Sequence, residues 1–444
     1  MPQKLITAAE KHTDLILAAQ DYIWKNPETG YKEYKTSAYL AKEFEKLGYT
    51  LTYAEGITGF YTVIDTGREG PEVLVLGELD SLICPEHPDA DPETGAVHCC
   101  GHSAQSAALL GIAAALKEPG VLDNLSGRIR LCAVPAEELI EIEYRQGLMD
   151  QGIIKYFGGK SEFLYRGYFD GVDLALMVHT SSGDAFHTAK GGVGCISKRI
   201  IYKGVSAHAG GSPWDGVNAL YAATQGLNAI NAIRETFQER DVIRVHPIIT
   251  TGGNVVNAIP DRVVIESYVR GATFEGMEEA NQRVNRALCG AALSLGANVE
   301  IVDRAGYSPL YNDTAMLDVA ADAAALLPEY KFEANDYFSS GSTDMADLCC
   351  VMPAMHPYAP GAVGNGHGKD YCIADPMKAC VGSAKWQLCM LHVLLKDGAK
   401  KAKESVQNFK PMFESKEAFF AYVDGIARDG DRITYQDGSA SVLL

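Results

Sequence analysis

The sequence lacks long apolar runs, an excess of basic residues, internal repeats and low-complexity tracts. No stretch approaches the roughly 20 consecutive apolar residues that a membrane-spanning helix requires. The net charge is −18 at pH 7, whereas nucleic acids and anionic membranes select basic surfaces. We therefore expect neither nucleic acid nor a membrane as a partner.

Signs of secretion are also missing. The segment Met1-Pro2-Gln3-Lys4-Leu5 has neither the apolar core nor the small-residue cleavage pattern of a signal peptide. The eleven cysteines are an odd number, and some, such as Cys132 and Cys389, lie inside apolar runs. The adjacent pair Cys99-Cys100 is poorly placed to form a disulfide with itself. We therefore expect reduced thiols and a cytoplasmic location.

Length and composition indicate a globular protein of two domains. The chain has 444 residues, of which 47% are hydrophobic and 22% charged, and one ordinary core seldom serves a chain of this length. Helical spacing in 8–25 and 36–47 alternates with aliphatic runs, which predicts an α/β domain with a mostly parallel sheet. The runs are Phe60 to Ile64, Val73 to Gly77, Ile129 to Val134 and Leu174 to Val178.

The pattern changes after Lys190-Gly191-Gly192. A strand, a helix, two strands, a helix and a final strand follow within about 115 residues, which predicts an inserted two-layer α+β lid of the ferredoxin-like kind. We predict a catalytic domain in two parts, 1–190 and 306–444, the second including a C-terminal extension. The lid is predicted to span 191–305.

Cys100-Gly101-His102 opens a helix rich in small residues. A thiolate and an imidazole two residues apart at a helix N-terminus can converge on one cation. Two alternatives remain open at this point. One is a buried thiol beside a capping histidine, and the other is a nucleophilic Cys100 with His102 as its base.

Glu137-Glu138 follows the aliphatic run that ends at Val134. Adjacent carboxylates on a turn diverge, so one can bind a metal while the other holds a water and acts as a general base. The alternative is a solvated acidic turn. The preceding core-like strand favours the functional interpretation.

Two histidines and one aspartate complete the candidate set in the larger domain. His179 follows a strand and His367 lies in a glycine-rich loop, settings in which a lone histidine can also be structural. With Cys100, His102 and Glu138 they provide five nitrogen, sulfur and oxygen donors, enough for two cations that share a ligand. Such a set suits zinc, manganese or cobalt. Asp80, after another strand, is predicted to orient a ligand imidazole.

Three polar residues of the predicted lid are further candidates, although each alone could be an ordinary exposed polar residue. His208 lies on a loop after a strand, Asn257 precedes Ile259-Pro260, and Arg270 ends a strand. We expect His208 and Asn257 to stabilise a tetrahedral intermediate. Arg270 is expected to bind a substrate carboxylate.

These motifs together resemble the M20 family of metallopeptidases and amidohydrolases. Within it, the chain looks most like the branch of aminobenzoyl-glutamate hydrolases and aminoacylase-1-like-2 enzymes, from Trp24 to about Ala374. The order and spacing of the motifs carry the resemblance. They are Gly77-Glu78-Leu79-Asp80-Ser81-Leu82, Cys100-Gly101-His102, Pro135-Ala136-Glu137-Glu138, Val178-His179, Ser206-Ala207-His208-Ala209, Asn257-Ala258-Ile259-Pro260, Gly341-Ser342-Thr343-Asp344 and Gly366-His367.

The resemblance implies a two-metal hydrolase whose lid forms the interface of a homodimer. Cys100 would bridge the metals and Glu137 would be the base and proton shuttle. His208 would act at the oxyanion, in many members across the dimer, while Asn257, Arg270 and Gly341 would bind substrate. The remaining implied metal ligands are His102, Glu138, His179 and His367.

The chain departs from the family where Ser103 replaces the usual Asp or Asn. A hydroxyl can still cap the helix, but a carboxylate near the metals is lost. The segments 83–97 and 141–170 are further candidates for reshaping the pocket rim, although packing also accounts for the aromatic residues of the second.

The predicted function is hydrolysis of an amide in a small N-acyl amino acid, an aminobenzoyl-glutamate-like amide or a dipeptide. The substrate should carry a carboxylate for Arg270. Two alternatives are a non-hydrolytic metal-binding homologue used for ligand sensing or assembly, and a thiol-dependent hydrolase that uses Cys100. Glu137→Gln tests the first alternative, and a chelator tests the second.

Overall fold

Helices and strands alternate along the chain, of which this computed structural model describes residues 2–444. The helices are α1 (Pro2–Lys11), α2 (Thr13–Trp24), α3 (Tyr34–Lys46), α4 (His102–Leu116), α5 (Ile142–Asp150), α6 (Gly159–Tyr165), α7 (Ala219–Ile233), α8 (Phe274–Ser294), α9 (Thr314–Ala324), α10 (Met345–Cys349), α11 (Ser383–Asn408) and α12 (Lys416–Ile426). Short 3-10 helices cover Pro213–Asp215, Arg234–Thr236 and Glu239–Asp241, and a π-helix covers Met377–Gly382.

The strands of the first half are β1 (Thr52–Tyr53), β2 (Phe60–Asp65), β3 (Glu72–Glu78), β4 (Leu82–Ile83), β5 (Ala96–Val97), β6 (Arg128–Val134), β7 (Leu174–Leu176), β8 (His179–Ser181), β9 (Ala185–Thr188), β10 (Gly191–Gly192) and β11 (Gly194–Lys203). Those that follow are β12 (Arg244–Val245), β13 (Ile248–Thr251), β14 (Arg262–Gly271), β15 (Asn298–Tyr307), β16 (Leu310–Tyr311), β17 (Lys331–Ala334), β18 (Phe338–Ser339), β19 (Ala354–Met355), β20 (Tyr358–Pro360), β21 (Ala362–Val363), β22 (Cys372–Ile373), β23 (Ile433–Gln436) and β24 (Ser439–Val442).

The chain divides into two compact units. Unit 1 comprises the described residues through Gly191 together with Tyr311–Ser339 and Thr343–Glu414. Unit 2 comprises Gly192–Leu310, Ser340–Ser342 and Ser415–Leu444.

The main sheet of unit 1 has the order β1-β2-β6-β3-β7-β19. Strand β3 runs parallel to β6 and β7, and β7 runs parallel to β19, whereas β2 is antiparallel to β6. Every residue of β3 is buried, as expected of a central parallel strand that is covered on both faces. The predicted α/β fold with a mostly parallel sheet is thus confirmed.

Helix α4 is buried along its whole length. Its residues are mainly small, and small side chains allow a helix to pack closely against the sheet and against other helices. Gly77 of β3 illustrates this closeness, because a Cβ atom there would lie 3.2 Å from the Leu109 side chain. The helix that begins at His102 is therefore held firmly in the core of unit 1.

Unit 2 has an antiparallel sheet of order β12-β14-β11-β15, with β13 also paired to β14. Helices α7 and α8 supply buried residues such as Ala223 and Leu288 to the core that the sheet shares. The chain order is β11-α7-β12-β13-β14-α8-β15, in which the short strands β12 and β13 pair with successive parts of β14. Counted as one edge strand, they give the β-α-β-β-α-β order of the predicted ferredoxin-like arrangement.

The final 30 residues group differently from the sequence-based division, which placed 306–444 together. Residues 415–444 belong to unit 2, because Ile433 joins its core and Arg428 exchanges backbone hydrogen bonds with Asp303 of β15. Tyr422 of α12 also packs edge-on against Phe274, with ring centroids 5.0 Å apart. These contacts are long-range, and the charged C-terminal sequence carries no periodicity that would have indicated them.

Within residues 2–444, no helix has the length and apolarity needed to cross a bilayer.

Candidate metal centre

Several side chains of unit 1 follow strands of the main sheet at their carboxyl ends. Asp80 follows β3, Glu137-Glu138 follows β6, and His179 follows β7. Because these three strands are parallel, their carboxyl ends meet at one edge of the sheet, where open α/β folds place ligands. Cys100 and His102 reach the same group from the N-terminus of α4.

The first donor group consists of Cys100, His102 and His179. Their ligand atoms all lie within 4.8 Å of one another, and Cys100 Sγ is 3.3 Å from His179 Nε2. His179 Nδ1 donates a hydrogen bond to the carbonyl of Thr180 at 2.8 Å. That bond fixes the imidazole so that Nε2 faces the thiol of Cys100.

Gly101 permits the two neighbouring donors to converge. Its φ angle is 98°, in the left-handed region that favours glycine. A Cβ atom at this position would lie 2.0 Å from Thr180 Oγ1 and 2.4 Å from the Tyr371 hydroxyl. The glycine between Cys100 and His102 is therefore required by both backbone conformation and space.

The second donor group consists of Cys100, Glu138 and His367, again with all ligand atoms within 4.8 Å. His367 Nε2 lies 3.3 Å from Glu138 Oε1. The His367 backbone N–H donates to the Cys99 carbonyl at 2.8 Å, which ties the glycine-rich loop to the segment that carries Cys100. Cys100 belongs to both groups.

Asp80 orients members of both groups. His102 Nδ1 donates to Asp80 Oδ1 at 3.1 Å and to the Asp80 carbonyl at 3.0 Å, so His102 Nε2 points away from Asp80. Asp80 Oδ2 accepts a hydrogen bond from the Glu138 backbone N–H at 2.8 Å. An anionic side chain that fixes the tautomer of an imidazole is a common partner of metal-ligating histidines.

Glu137 lies beside the donors and forms a third group with Glu78 and His102. It is buried, and its Oε2 is 3.8 Å from His102 Nε2. Burial raises the pKa of Glu137 well above its ordinary value, and the neighbouring carboxylates of Glu78 and Glu138 raise it further. A carboxyl group in such surroundings is suited to exchanging protons with water.

The electrostatics of the ligand groups favour their metal-binding forms. Burial and the charge of Glu138 raise the pKa of the Cys100 thiol, but His179 and His102 outweigh both and bring it to about 6. Burial also acts against ionisation of Glu138, yet the adjacent His367 lowers its pKa to about 2. The thiolate and the carboxylate are thus the forms that these surroundings stabilise.

The donor set fits divalent transition metals. Three atoms of the centre are buried and make no hydrogen bond within residues 2–444, namely His102 Nε2, Glu138 Oε1 and Glu78 Oε2. Each of them nevertheless lies near another side chain, an imidazole nitrogen beside a carboxylate oxygen. Buried polar atoms without hydrogen bonds are rare and call for another partner. A metal ion is one such partner, because the side chains combine sulfur, nitrogen and oxygen donors that could hold it.

In unit 2 the structure brings His208 and Asn257 together. His208 forms an isolated β-bridge with Ala258, and the Ala209 N–H donates to the Asn257 carbonyl at 3.0 Å. His208 Nδ1 accepts hydrogen bonds from the N–H groups of Gly210 and Gly211 at 3.1 and 2.8 Å. A neutral imidazole that accepts at Nδ1 carries its proton on Nε2, which is therefore a donor.

Arg270 and Gly341 are also neighbours in unit 2. Arg270 Nη1 donates to Ser342 Oγ, next to Gly341, at 3.4 Å. Its Nε is buried and has no hydrogen-bond partner among residues 2–444. The guanidinium thus retains a donor for an anion.

Some residues at the centre have no role predicted from the sequence. Lys160 lies between Glu78 and Asp344 and is buried with both of them, and Tyr371 donates to the Cys100 carbonyl at 3.2 Å. Glu78 had a detectable signal, since it stands two residues before Asp80 and alternation puts both on one face of the strand. No comparable signal marks Lys160, which lies 82 residues from Glu78.

Ser103 behaves differently from the expectation that its hydroxyl caps α4. Gly101 is the N-cap residue, and Ser103 lies inside the first turn. Its Oγ is buried and has no hydrogen-bond partner within the described residues. The departure from the family pattern therefore leaves a small polar group in place of a carboxylate.

Comparison with curated proteins identifies enzymatic relatives. The N-acetyl-L-cysteine deacetylase of Bacillus subtilis (strain 168) is 30% identical over 324 residues, which are 70% of this chain and 72% of the relative. One p-aminobenzoyl-glutamate hydrolase subunit of Escherichia coli (strain K12) is 27% identical over 330 residues, 62% of this chain and 70% of the relative.

A solved structure agrees with the fold. The crystal structure of a dinuclear metal binding peptidase of the M20 family from Bacillus subtilis superposes with a TM-score of 0.63 at 20% identity, covering 86% of this chain and 97% of that one. The model of Peptidase family M20/M25/M40 matches residues 74–385, well over half of the chain. The resemblance found in the motifs is therefore confirmed, and the chain belongs to the M20 family as a metal-dependent amidohydrolase or peptidase.

Proposed function

We propose that the protein hydrolyses an amide bond in a small N-acyl amino acid, an aminobenzoyl-glutamate-like amide or a dipeptide, using two divalent cations. The main observation behind this proposal is that two donor groups share Cys100. One consists of Cys100, His102 and His179, and the other of Cys100, Glu138 and His367. A shared thiolate is a natural bridge between two neighbouring cations.

Cys100, His102, Glu138, His179 and His367 would hold the cations, which would be zinc, manganese or cobalt, with Cys100 as the ligand common to both. When bound, they polarise the substrate carbonyl and lower the pKa of a water molecule. Asp80 is a positioning residue, because it holds the His102 imidazole and the Glu138 backbone at the same time.

Glu137 is the general base in this proposal. Its carboxylate takes a proton from the attacking water as the water oxygen bonds to the carbonyl carbon. It then gives that proton to the nitrogen as the carbon–nitrogen bond breaks, so that a carboxylic acid and an amine leave. Its position beside His102, in a buried setting, supports this assignment.

Unit 2 supplies the groups that recognise the substrate. The Nε2–H of His208 and the side chain of Asn257 donate to the oxyanion of the tetrahedral intermediate. Arg270 binds the substrate carboxylate, with Gly341 next to it. The names of the two curated relatives support this class, because N-acetyl-L-cysteine and p-aminobenzoyl-glutamate are both amides that carry a carboxylate.

Metal removal tests the proposed function directly. We expect a chelator to lower amide hydrolysis by at least about a thousandfold, because Lewis acidity contributes several kcal/mol to such reactions. Reloading the apo-protein with zinc, manganese or cobalt should restore it. The measurement is amine release from a panel of N-acyl amino acids, dipeptides and aminobenzoyl-glutamate-like amides.

Two outcomes of this screen would contradict the proposal. Activity that survives complete metal removal would indicate a thiol-dependent hydrolase using Cys100. Release of no amine from any substrate with any metal would favour a non-hydrolytic metal-binding role in ligand sensing or assembly.

We further propose a homodimer formed through unit 2. One edge of its sheet, at β15, is covered by backbone pairing with Arg428 and Asp431. The opposite edge, at β13, is exposed along its whole length. Exposed apolar side chains are numerous in this unit, among them Trp214, Tyr221, Ile248, Val255 and Val256. An uncovered edge strand with apolar neighbours is a template for pairing with a second chain.

The double variant Ile248→Lys/Val256→Lys should weaken this dimer at least tenfold, since two charges would have to be buried at the interface. Leu293→Lys, at an exposed apolar position on α8, is the control and should leave association unchanged. Sedimentation equilibrium measures the dissociation constant of each protein. A monomeric wild-type chain at micromolar concentration would refute the dimer.

A further inference from the structure

Glu78 is the last residue of β3 and is completely buried beside the metal ligands. Its Oε1 lies 2.5 Å from Lys160 Nζ. Its Oε2 faces His102 Nε2 at 3.2 Å, yet neither of these two atoms makes a hydrogen bond within residues 2–444. With His102 and Glu137 it forms a group able to hold a metal.

The orientation of His102 turns its Nε2 towards Glu78. His102 Nδ1 faces two oxygen acceptors of Asp80 and therefore carries the ring proton. His102 Nε2 and Glu78 Oε2 are thus turned towards each other, and both atoms are of the kind that binds a cation.

The distance fits a shared cation. Zinc binds imidazole nitrogen and carboxylate oxygen at about 2.0–2.2 Å. Two neighbouring ligands of one ion with these bond lengths are about 2.8–3.6 Å apart in octahedral or tetrahedral coordination. The 3.2 Å between Glu78 Oε2 and His102 Nε2 lies in this range.

Lys160 holds the Glu78 carboxylate in this orientation. Its ammonium group is completely buried and also lies 2.5 Å from Asp344 Oδ1, while its backbone N–H donates to Asp344 Oδ2 at 2.8 Å. The lysine thus occupies Oε1 of Glu78 and leaves Oε2 turned towards His102. A single buried cation facing two buried carboxylates also leaves negative charge uncompensated, which a metal ion would balance.

We propose that Glu78 is a further ligand of the cation bound by His102, and that Lys160 and Asp344 are positioning residues for its carboxylate. This inference rests on the proposed two-metal centre and adds a sixth donor to it.

Cobalt binding to Glu78→Gln tests the inference without relying on activity. We expect the wild type to bind two cobalt ions per chain. The variant should bind one of them at least tenfold more weakly, as even outer partners of metal ligands contribute 10- to 100-fold in affinity. The thiolate-to-cobalt absorption band from Cys100 should persist, because the site of Glu138 and His367 is untouched.

Glu72→Gln is the matched control. Glu72 is a buried, ion-paired glutamate at the opposite end of the same strand, where it pairs with Arg128 and Arg130. It lies about 20 Å from Glu78 at the usual rise of a strand. This variant should bind both cobalt ions as the wild type does.

The outcomes separate this inference from the proposed function. A wild type that binds fewer than two cobalt ions overturns both. A wild type with two ions and a Glu78→Gln variant with unchanged affinities overturns only the role of Glu78. Should the variant fail to fold, the crystal structure of the cobalt-loaded wild type decides. A distance of about 2.0–2.3 Å from Glu78 Oε2 to the ion supports the inference, and a distance above about 3 Å refutes it.

Discussion

Replacing Glu137 with glutamine is expected to lower kcat for amide hydrolysis by about 10²- to 10⁴-fold, the range that general base catalysis contributes. The substitution keeps the shape of the side chain and removes its ability to take a proton from water. Glu137 is not one of the proposed metal ligands, so both cations should stay bound. Steady-state kinetics and metal analysis of the same preparation measure the two effects together.

Glu141→Gln is the control for this substitution. Glu141 is close in sequence and partly exposed, and its carboxylate pairs with Lys32 at 2.6 Å. It should therefore retain wild-type kcat. If Glu137→Gln keeps more than about a tenth of the wild-type rate with both metals bound, another group is the base. If it loses a metal as well as activity, Glu137 is a ligand.

The positions of the site residues were predictable because they depend on local pattern and on sheet geometry. Aliphatic runs marked β3 and β6, and the polar residues after them had to meet at one edge of a parallel sheet. Cys100 and His102 were accessible to the same reasoning, since they open a helix of small residues. The residues that the sequence marked as metal donors do lie together in unit 1.

Contacts between distant parts of the chain were not predictable in this way. Lys160 reaches Glu78 and Asp344 across 82 and 184 residues, and a buried lysine has no periodic signature in a sequence. Asp344 was visible only as the last residue of the motif Gly341-Ser342-Thr343-Asp344. The docking of residues 415–444 onto unit 2 likewise depends on backbone pairing with β15, which any side chains allow.

The same argument from buried charge predicts a large effect in unit 2, where Lys198 of β11 is completely buried. Its Nζ donates to Asp303 Oδ1 at 2.5 Å and to the side-chain oxygens of Asn281 and Asn285 at 2.8 and 2.5 Å. The variant Lys198→Met leaves the Asp303 carboxylate buried without a compensating charge. We expect the free energy of unfolding of unit 2 to fall by about 3–5 kcal/mol.

Hydrogen exchange of the amides in β11 and β15 measures this change within unit 2, since exchange reports local opening. Amide exchange through that opening should be about a hundred- to a few thousandfold faster, because each 1.4 kcal/mol corresponds to a factor of ten.

Lys203→Met on the same strand is the control, because Lys203 is 42% exposed and surface pairs contribute at most about 1 kcal/mol. The double variant Lys198→Met/Asp303→Asn should recover part of the loss, because it removes the unpaired charge. A loss below about 1 kcal/mol for Lys198→Met would show that water or a rearranged donor replaces the ammonium group.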